Sequence, residues 1–213
     1  MRTSATGPGD KPELTQHIIE ATFAVVASHG FEATTTDLIA RQTGASVEAV
    51  VRSVGDKDRC CLRAFEAVCE QVDCLLLPIY LRPEPWQERI SAAAAAAARY
   101  CCEHEERVRF AIDERFRRGR LPLGEASLCL HLQQVDSIRQ EAAEPEQIPV
   151  AAAELAVGSA LETLVGLHAE GRLADAELAV PGLLYNTFRL YLGLEVAEDL
   201  LKARPDLCRP RRF

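Results

Sequence analysis

The segment Cys101–Glu105 carries the residue types that most often hold a metal ion or react with an oxidant. Its order is Cys-Cys-Glu-His-Glu, so Cys101 lies three residues from His104 and four from Glu105, the spacing of neighbours on one helix face. A metal centre needs three or four converging ligands, commonly from paired motifs such as Cys-x2-Cys, and the sequence has no such pair. The default interpretation is burial or a solvated helix start, with a thiol or metal sensor as the lesser alternative.

The other side chains that could catalyse a reaction are scattered along the chain. None of the five histidines has a serine or cysteine partner in a recognisable catalytic order, and no glycine-rich phosphate loop is present. We therefore expect no enzyme, no catalytic residues, no metal site and no cofactor. The eight cysteines also lack the spacing of a small disulfide-bonded secreted domain.

A second group of side chains, around Ser46–Arg52, has the types and spacing to contact double-stranded DNA. Arg52 could pair with guanine, Glu48 could accept from cytosine N4, and Val47 or Ala49 could touch a thymine methyl. Thr35 and Lys57 stand at two predicted helix N-termini, where phosphates bind readily. The predicted DNA contacts are Thr35, Ser46, Val47, Glu48, Ala49, Arg52 and Lys57.

Each of these residues also has a purely structural interpretation. Thr35 could simply cap a helix, which is compatible with a phosphate contact, and Lys57 could be a solvated charge. Val47 or Val51 could belong to the core, and for Val51 we expect the core. The net charge of −8 excludes a general nucleic-acid binder but allows a specific one whose positive charge is local.

Three short helical patterns with tight connections position these side chains. Gly30 ends the first, and one of Thr34–Thr36 caps the second. Gly44 makes the following turn, Ser46 caps the third pattern, and Asp56 can cap a fourth. The pattern predicts a three-helix DNA-reading head, followed by a larger helical body.

The body is predicted to be a series of helices separated by proline and glycine breaks. No alternating segment of useful length predicts a strand. The expected helices span residues 57 to about 77 (ended by Pro78), 86–102, 104–118, 123 to about 143, 150–169 and 178–201. The last two are apolar nearly all round, so they require cover on several sides. A two-fold partner would provide it, with Gly158 and Gly166 allowing close approach; an internal pair in a monomer is the alternative.

The predicted fold class is therefore all-α, with about nine helices. We expect a flexible segment over 1–11, a helix-turn-helix domain over 12–56, a ligand-binding and dimerisation domain over 57–203 and a flexible tail over 204–213. No run of 18 uncharged apolar residues predicts a membrane span, and the N-terminus lacks the apolar stretch of a secretory signal. We expect a cytoplasmic location.

The head resembles the TetR family of bacterial transcription regulators over about fifty residues. The matching positions are Ile18, Ile19, Ala21, Phe23, Gly30, Phe31, Ala33, Thr34, Thr35, Ile39, Ala40, Gly44, Ser46, Gly55, Lys57 and Asp58. The resemblance implies a homodimer joined through the last two helices. It also implies a body that binds a small molecule and heads that bind a pseudo-palindromic operator, most often as a repressor.

Chemistry at the reading positions departs from the family pattern. Val47 and Val51 stand where the family usually has Lys and Tyr, Ser53 stands at the usual His, and Glu48 adds a negative charge. The segment from Lys11 to Arg59 contains five basic and seven acidic residues, which gives a net charge of −2. Counterion release would then contribute little affinity. A helical ligand-binding or interaction protein that has weakened or lost DNA binding is therefore the second hypothesis.

An effector pocket is expected between the middle helices, because pockets of helical bundles are apolar with a few polar groups. The predicted lining residues are Trp86, Tyr100, Phe110, Phe116, His131 and His168.

Overall fold

The structure is a computed structural model that describes residues 10–119, 122–139, 141, 148–149 and 151–208. Over these residues the chain is all helical, which confirms the predicted fold class. The helices are α1 (Asp10–Ala33), α2 (Thr36–Thr43), α3 (Val47–Ser53), α4 (Lys57–Tyr80), α5 (Trp86–Glu103), α6 (Glu105–Arg118), α7 (Pro122–Arg139), α8 (Ala152–Ala169), α9 (Ala176–Leu192) and α10 (Leu194–Ala203). Short 3-10 turns cover Leu173–Asp175 and Pro205–Cys208.

The chain divides into two compact units. The first contains the described residues up to Cys69 together with Glu106–Gly119, and the second contains Glu70–Glu105 with the described residues beyond 120. The first unit is larger than the domain expected over 12–56, because it includes the first half of α4 and nearly all of α6. Most of the segment expected to be flexible at the N-terminus lies outside the described residues.

The first unit is organised around a small apolar core contributed by α1 to α4. Its buried members are Ile18, Ala21, Val25, Ile39, Ala40, Val50 and Cys60. Phe110 of α6 adds an aromatic contact, with its ring edge-on to Phe23 and the two centroids 5.1 Å apart. Helix α6 therefore packs as part of this unit.

The helix ends in the first unit follow the predicted local chemistry. The Thr35 hydroxyl accepts from the amide of Leu38 at 3.2 Å, and an Asp56 carboxylate oxygen accepts from the amide of Arg59 at 3.0 Å. Gly30 interrupts α1 with φ 74° and ψ 164°, near the predicted end. Gly44 has φ 69° and ψ 16°, a left-handed conformation that glycine adopts without steric cost. These features confirm the predicted caps and turn.

The second unit packs its core around α5 and α9. The Trp86 ring lies 5.7 Å from the ring of Phe188 and 5.6 Å from that of Tyr191, measured between centroids. The Tyr191 hydroxyl donates to the carbonyl of Val135 at 3.1 Å, which joins α9 to α7. Arg89 is buried, donates to the carbonyl of Tyr80 at 2.6 Å and forms an ion pair with Glu141.

Two helix boundaries differ from the sequence prediction. Helix α4 continues through Pro78 to Tyr80, because a proline within the last turns forfeits one hydrogen bond and does not end the helix by itself. The predicted single helix over 178–201 is wrong. Gly193, with φ 77° and ψ 169°, separates α9 from α10.

Part of the segment expected to be a flexible tail packs against the second unit. Leu207 is buried, and the guanidinium of Arg204 lies 3.1 Å from a carboxylate oxygen of Glu88 and 2.9 Å from one of Asp206. Residues 209–213 of the predicted tail lie outside the described residues. Among the described helices, none has both the length and the apolar character needed to cross a bilayer.

Candidate nucleic-acid interface

Helix α3 turns one valine into the core and presents two others to solvent. Val50 is completely buried, whereas Val47 is 36% exposed and Val51 is 48% exposed. The expectation that Val51 belongs to the core is therefore wrong. Val50 and Val51 are adjacent residues about 100° apart around the helix, so a helix packed on one side can bury only one of them fully.

The polar residues at the start of α3 interact mainly with one another. The Ser46 hydroxyl accepts from the amide of Ala49 at 3.2 Å and so caps the helix. Hydrogen bonds from its own backbone amide and from Ser46 lower the pKa of the Glu48 carboxyl, and Arg52 adds a smaller effect in the same direction. Glu48 is therefore ionised at neutral pH, and part of its hydrogen-bonding capacity is used within the helix.

The remaining predicted DNA contacts are on the surface or partly exposed. Arg52 and Thr35 are exposed, while Ala49 is half-buried. The half-buried Lys57 has its ammonium 3.4 Å from the carbonyl oxygen of Glu32 and 4.0 Å from the ring centroid of Phe31. These positions leave each residue's predicted role in DNA binding as a prediction.

An ionic cluster around the buried Glu114 joins α6 to the start of α4 in the first unit, and the sequence did not reveal it. Glu114 is 2% exposed and accepts hydrogen bonds from both Arg117 and Arg118. The same two arginines reach Asp58: Arg118 donates to its carbonyl at 2.6 Å, and Arg117 lies 3.4 Å from its carboxylate. The Arg117 guanidinium also lies 3.7 Å from the ring centroid of Phe31. Only the i,i+3 and i,i+4 spacing of the three α6 residues could have suggested part of this cluster.

The six predicted pocket residues fall in different surroundings. Phe110 and the largely exposed Phe116 lie in the first unit, whereas the other four lie in the second. Trp86 belongs to the core around α5 and α9, and His168 is half-buried on α8. The Tyr100 hydroxyl donates to the side-chain oxygen of Gln71 at 2.7 Å, and its ring contacts that of His104.

His131 provides the most unusual polar surroundings in the second unit. Its Nε2 lies 2.9 Å from a carboxylate oxygen of Asp73, which also accepts from the hydroxyl of Ser127 at 2.7 Å. Nε2 and this carboxylate are within hydrogen-bonding distance but poorly aligned, and Nδ1 has no hydrogen-bond partner within the described part of the chain. Burial lowers the pKa of His131 more than Asp73 raises it, so the imidazole is neutral at pH 7. The edge of this ring faces Tyr80, with centroids 6.0 Å apart.

The Cys101–Glu105 segment begins with a buried thiol. Burial raises the pKa of Cys101 to about 12, with a further contribution from Cys102, so the side chain is a protonated thiol at neutral pH. The Cys102 sulfur lies 3.2 Å from the carbonyl oxygen of Ala174. Within the residues that the structure describes, no three or more His, Cys, Asp or Glu side chains are grouped to hold a metal ion.

The head matches a known family of regulators. The family model for bacterial regulatory proteins of the tetR family matches residues 18–63, which run from α1 into α4 and include all of α2 and α3. A comparison with curated proteins found no match. The family match therefore covers the segment that contains the candidate DNA contacts.

Solved structures of regulators share the fold over most of the chain. SmeT, the repressor of the SmeDEF multidrug efflux pump of Stenotrophomonas maltophilia, has a TM-score of 0.69 at 19% identity, covering 88% of this chain and 91% of SmeT. A SmeT complex with triclosan gives a TM-score of 0.66. FadR of Bacillus subtilis, solved with stearoyl-CoA, gives 0.61 at 16% identity, covering 84% of this chain and 98% of FadR.

The head thus matches a family of bacterial regulatory proteins, and the fold of the chain is shared with solved regulators at 16–19% identity. The family match is confined to the head, so it assigns residues 18–63 to the tetR family of bacterial regulatory proteins.

Proposed function

We propose that this protein is a homodimeric transcription repressor that binds a pseudo-palindromic DNA operator and is released by a small molecule. The observation that carries the proposal is the tetR-family match over residues 18–63, in a head whose α3 is capped, packed through Val50 and exposed on its other side. A recognition helix needs this arrangement, because its exposed residues must enter the major groove while its scaffold stays fixed.

The surface of α8 and α9 supports a two-fold dimer. Leu178 is 75% exposed in the single chain, and Leu155 and Leu161 of α8 are also exposed. Gly166 and Gly182 are exposed as well, and a Cβ built on either would contact nothing within 4 Å. Apolar and small exposed residues on neighbouring helices suit an isologous helical interface. A dimer would also supply the second reading helix for a palindromic site.

An effector is proposed to bind in the second unit, where His131 would be its polar anchor. Buried polar atoms are normally paired, so an imidazole whose Nδ1 has no hydrogen-bond partner among the described groups is suited to a ligand. SmeT has been solved with triclosan and FadR with stearoyl-CoA, and a comparable apolar effector is proposed here. Trp86, Tyr100 and His168 remain proposed lining residues, whereas Phe110 and Phe116 belong to the first unit and are not included.

Release would follow from a shift in conformational population. An effector that binds one conformation of the body more tightly favours that conformation. Helix α4 contains residues of both units, so a change in it would alter the separation of the two reading helices in the dimer.

A selection from random DNA sequences, followed by gel shift with the full chain, tests the proposal. We expect enrichment of a two-fold symmetric site and loss of binding in Arg52→Ala. Arg82→Ala is the matched control, because it also removes one exposed arginine but lies in the turn after α4. Failure to enrich any site would overturn the proposal.

That negative outcome would support the second candidate, a ligand-binding or interaction protein that keeps the fold without DNA binding. The observations that favour this candidate are the net charge of −2 from Lys11 to Arg59 and the interaction of Glu48 with Ser46. This candidate requires that Arg52→Ala and Lys57→Ala change neither the cellular phenotype nor any binding affinity of the protein.

A further inference from the structure

We propose that α3 recognises thymine methyl groups through Val47 and Val51, so that the operator half-site is specified largely by apolar contacts. This inference rests on the proposed DNA-binding function. It adds the chemical identity of the recognised groups, which are C5-methyl groups in the major groove.

The two valines form one continuous apolar surface on the exposed side of α3. They are four residues apart, which places them one above the other along the same helix face. Their exposure of 36% and 48% contrasts with the complete burial of Val50 in the same helix. Core packing therefore explains Val50, whereas Val47 and Val51 keep a substantial part of their surface exposed.

Polar groups near this surface are less available to the bases. Ser46 caps the helix by accepting from the amide of Ala49, so its hydroxyl oxygen is engaged within the helix. Arg52 is then the one cationic side chain on α3, next to Val51. A reading surface with one guanidinium and two valines suits a guanine next to thymines, since Arg pairs with guanine and apolar groups contact the thymine methyl.

The negative net charge of the head increases the share of the binding free energy that contacts with the bases must contribute. With five basic and seven acidic residues from Lys11 to Arg59, few phosphates can be neutralised, so the non-specific component of affinity is small. A larger share of the binding free energy must then come from the bases. Buried methyl groups contribute free energy that does not depend on counterion release.

Duplex DNA fits the valine surface better than a protein partner does. A stable protein interface buries upwards of about 1,000 Å² in total, far more than two valine side chains supply. A thymine methyl is an isolated apolar group that projects into the major groove, where a helix such as α3 can reach it. Val47 and Val51 are also continuous with Arg52, the predicted guanine contact.

The test replaces thymine by deoxyuridine, one position at a time, in the sequence selected from random DNA. This change removes only the C5-methyl group and keeps the base-pairing atoms. At two or more positions per half-site we expect the Kd to rise roughly 4-fold per methyl, the value of one buried methyl-sized group. Substitutions outside the protected region should have no effect.

Protein variants assign the contacts to the two valines. Val47→Ala and Val51→Ala should each weaken binding to the thymine site and make it insensitive to deoxyuridine at one position. Val196→Ala, an equally conservative change at an exposed valine of α10, is the control and should leave the deoxyuridine effect intact. Circular dichroism checks that each variant is folded.

The outcomes separate this inference from the function on which it rests. If DNA is selected but deoxyuridine has no effect at any position, valine recognition of methyl groups is wrong and the regulator proposal stands. The same holds if deoxyuridine weakens binding equally in wild type and both valine variants. If no DNA is selected, both proposals fail.

Discussion

Glu114 offers the sharpest test of how the first unit is held together. This carboxylate is almost completely buried on α6 and accepts from Arg117 at 2.8 and 2.9 Å and from Arg118. Glu114→Gln keeps the shape of the side chain, removes its charge and turns one acceptor into an amide donor that faces arginine donors. The substitution therefore perturbs electrostatics with little change in packing.

The expected loss of unfolding free energy is about 2–3 kcal/mol. A hydrogen bond to a charged group contributes about 1.5–3 kcal/mol, against about 0.5–1.5 kcal/mol for a neutral one, so three bonds lose about 1 kcal/mol each. Breaking a fully buried pair costs about 3–5 kcal/mol. The smaller estimate, from the hydrogen bonds, applies here because the two arginines are partly exposed and keep Asp58 as a partner.

The loss should depend on pH in a defined direction. Burial by itself would raise the pKa of Glu114, but the hydrogen bonds and charges of Arg117 and Arg118 outweigh it and hold that pKa below the ordinary 4.5. A lowered carboxyl pKa stabilises the folded state above about pH 4.5, and this contribution disappears as the pH falls through the folded-state pKa. The difference between wild type and Glu114→Gln should therefore be largest near pH 7 and shrink in acid.

Urea unfolding at fixed protein concentration measures this difference. Glu106→Gln is the matched control, because it makes the same change at an exposed position of α6 and should alter stability by less than about 0.5 kcal/mol. A loss below about 0.5 kcal/mol for Glu114→Gln at pH 7, or a loss unchanged between pH 7 and pH 3, would refute the reasoning.

Three further predictions address the turn, the dimer and the pocket. Gly44→Ala should lower the unfolding free energy, measured by thermal unfolding, by about 1–2 kcal/mol, and Gly44→Asn should lower it less, because Asn tolerates the left-handed backbone better and a Cβ here meets nothing within 4 Å. Equal losses for the two variants would point to another cause. Leu178→Glu should give a folded monomer by light scattering, whereas Leu81→Glu, at a similarly exposed leucine, should leave the dimer intact. A dimer that persists in Leu178→Glu would exclude the surface of α8 and α9 as the dimer interface. His131→Phe should raise the unfolding free energy of the ligand-free protein by about 1–3 kcal/mol, because it removes buried polar atoms without good hydrogen bonds. A lower unfolding free energy would mean that the imidazole already has stabilising hydrogen bonds in the ligand-free protein.

Local chemistry made most of the head predictable from the sequence. Caps at Thr35 and Asp56 and the turn at Gly44 depend on the residue itself and its near neighbours, and the structure has all three. The exposure of Val51 was not predictable, because a two-turn helix with several valines does not reveal which side meets the core. Burial of a neighbouring valine, which only the tertiary structure shows, decides it.

Long-range packing explains the other differences. Nothing near Glu114 in sequence indicates that its two arginine partners also share Asp58. That residue lies 59 positions before Arg117 and 60 before Arg118. Gly193 lies within an apolar pattern that reads as one helix, yet its positive φ ends α9. Arg204 pairs with Glu88, which lies 116 residues earlier, and so the chain there packs instead of forming a loose tail.

Protection of guanine N7 from methylation on the selected DNA is a direct test of base recognition by α3, because this atom lies in the major groove that α3 is proposed to enter. We expect two symmetric patches of protection by the wild-type protein. Their centres should lie one helical turn apart, about 10–10.5 base pairs, or a multiple of that distance. Arg52→Ala should lose protection at one guanine per half-site, while Arg82→Ala should keep the wild-type pattern. Binding without major-groove protection, or protection unchanged in Arg52→Ala, would contradict the assignment of α3 as the reading helix.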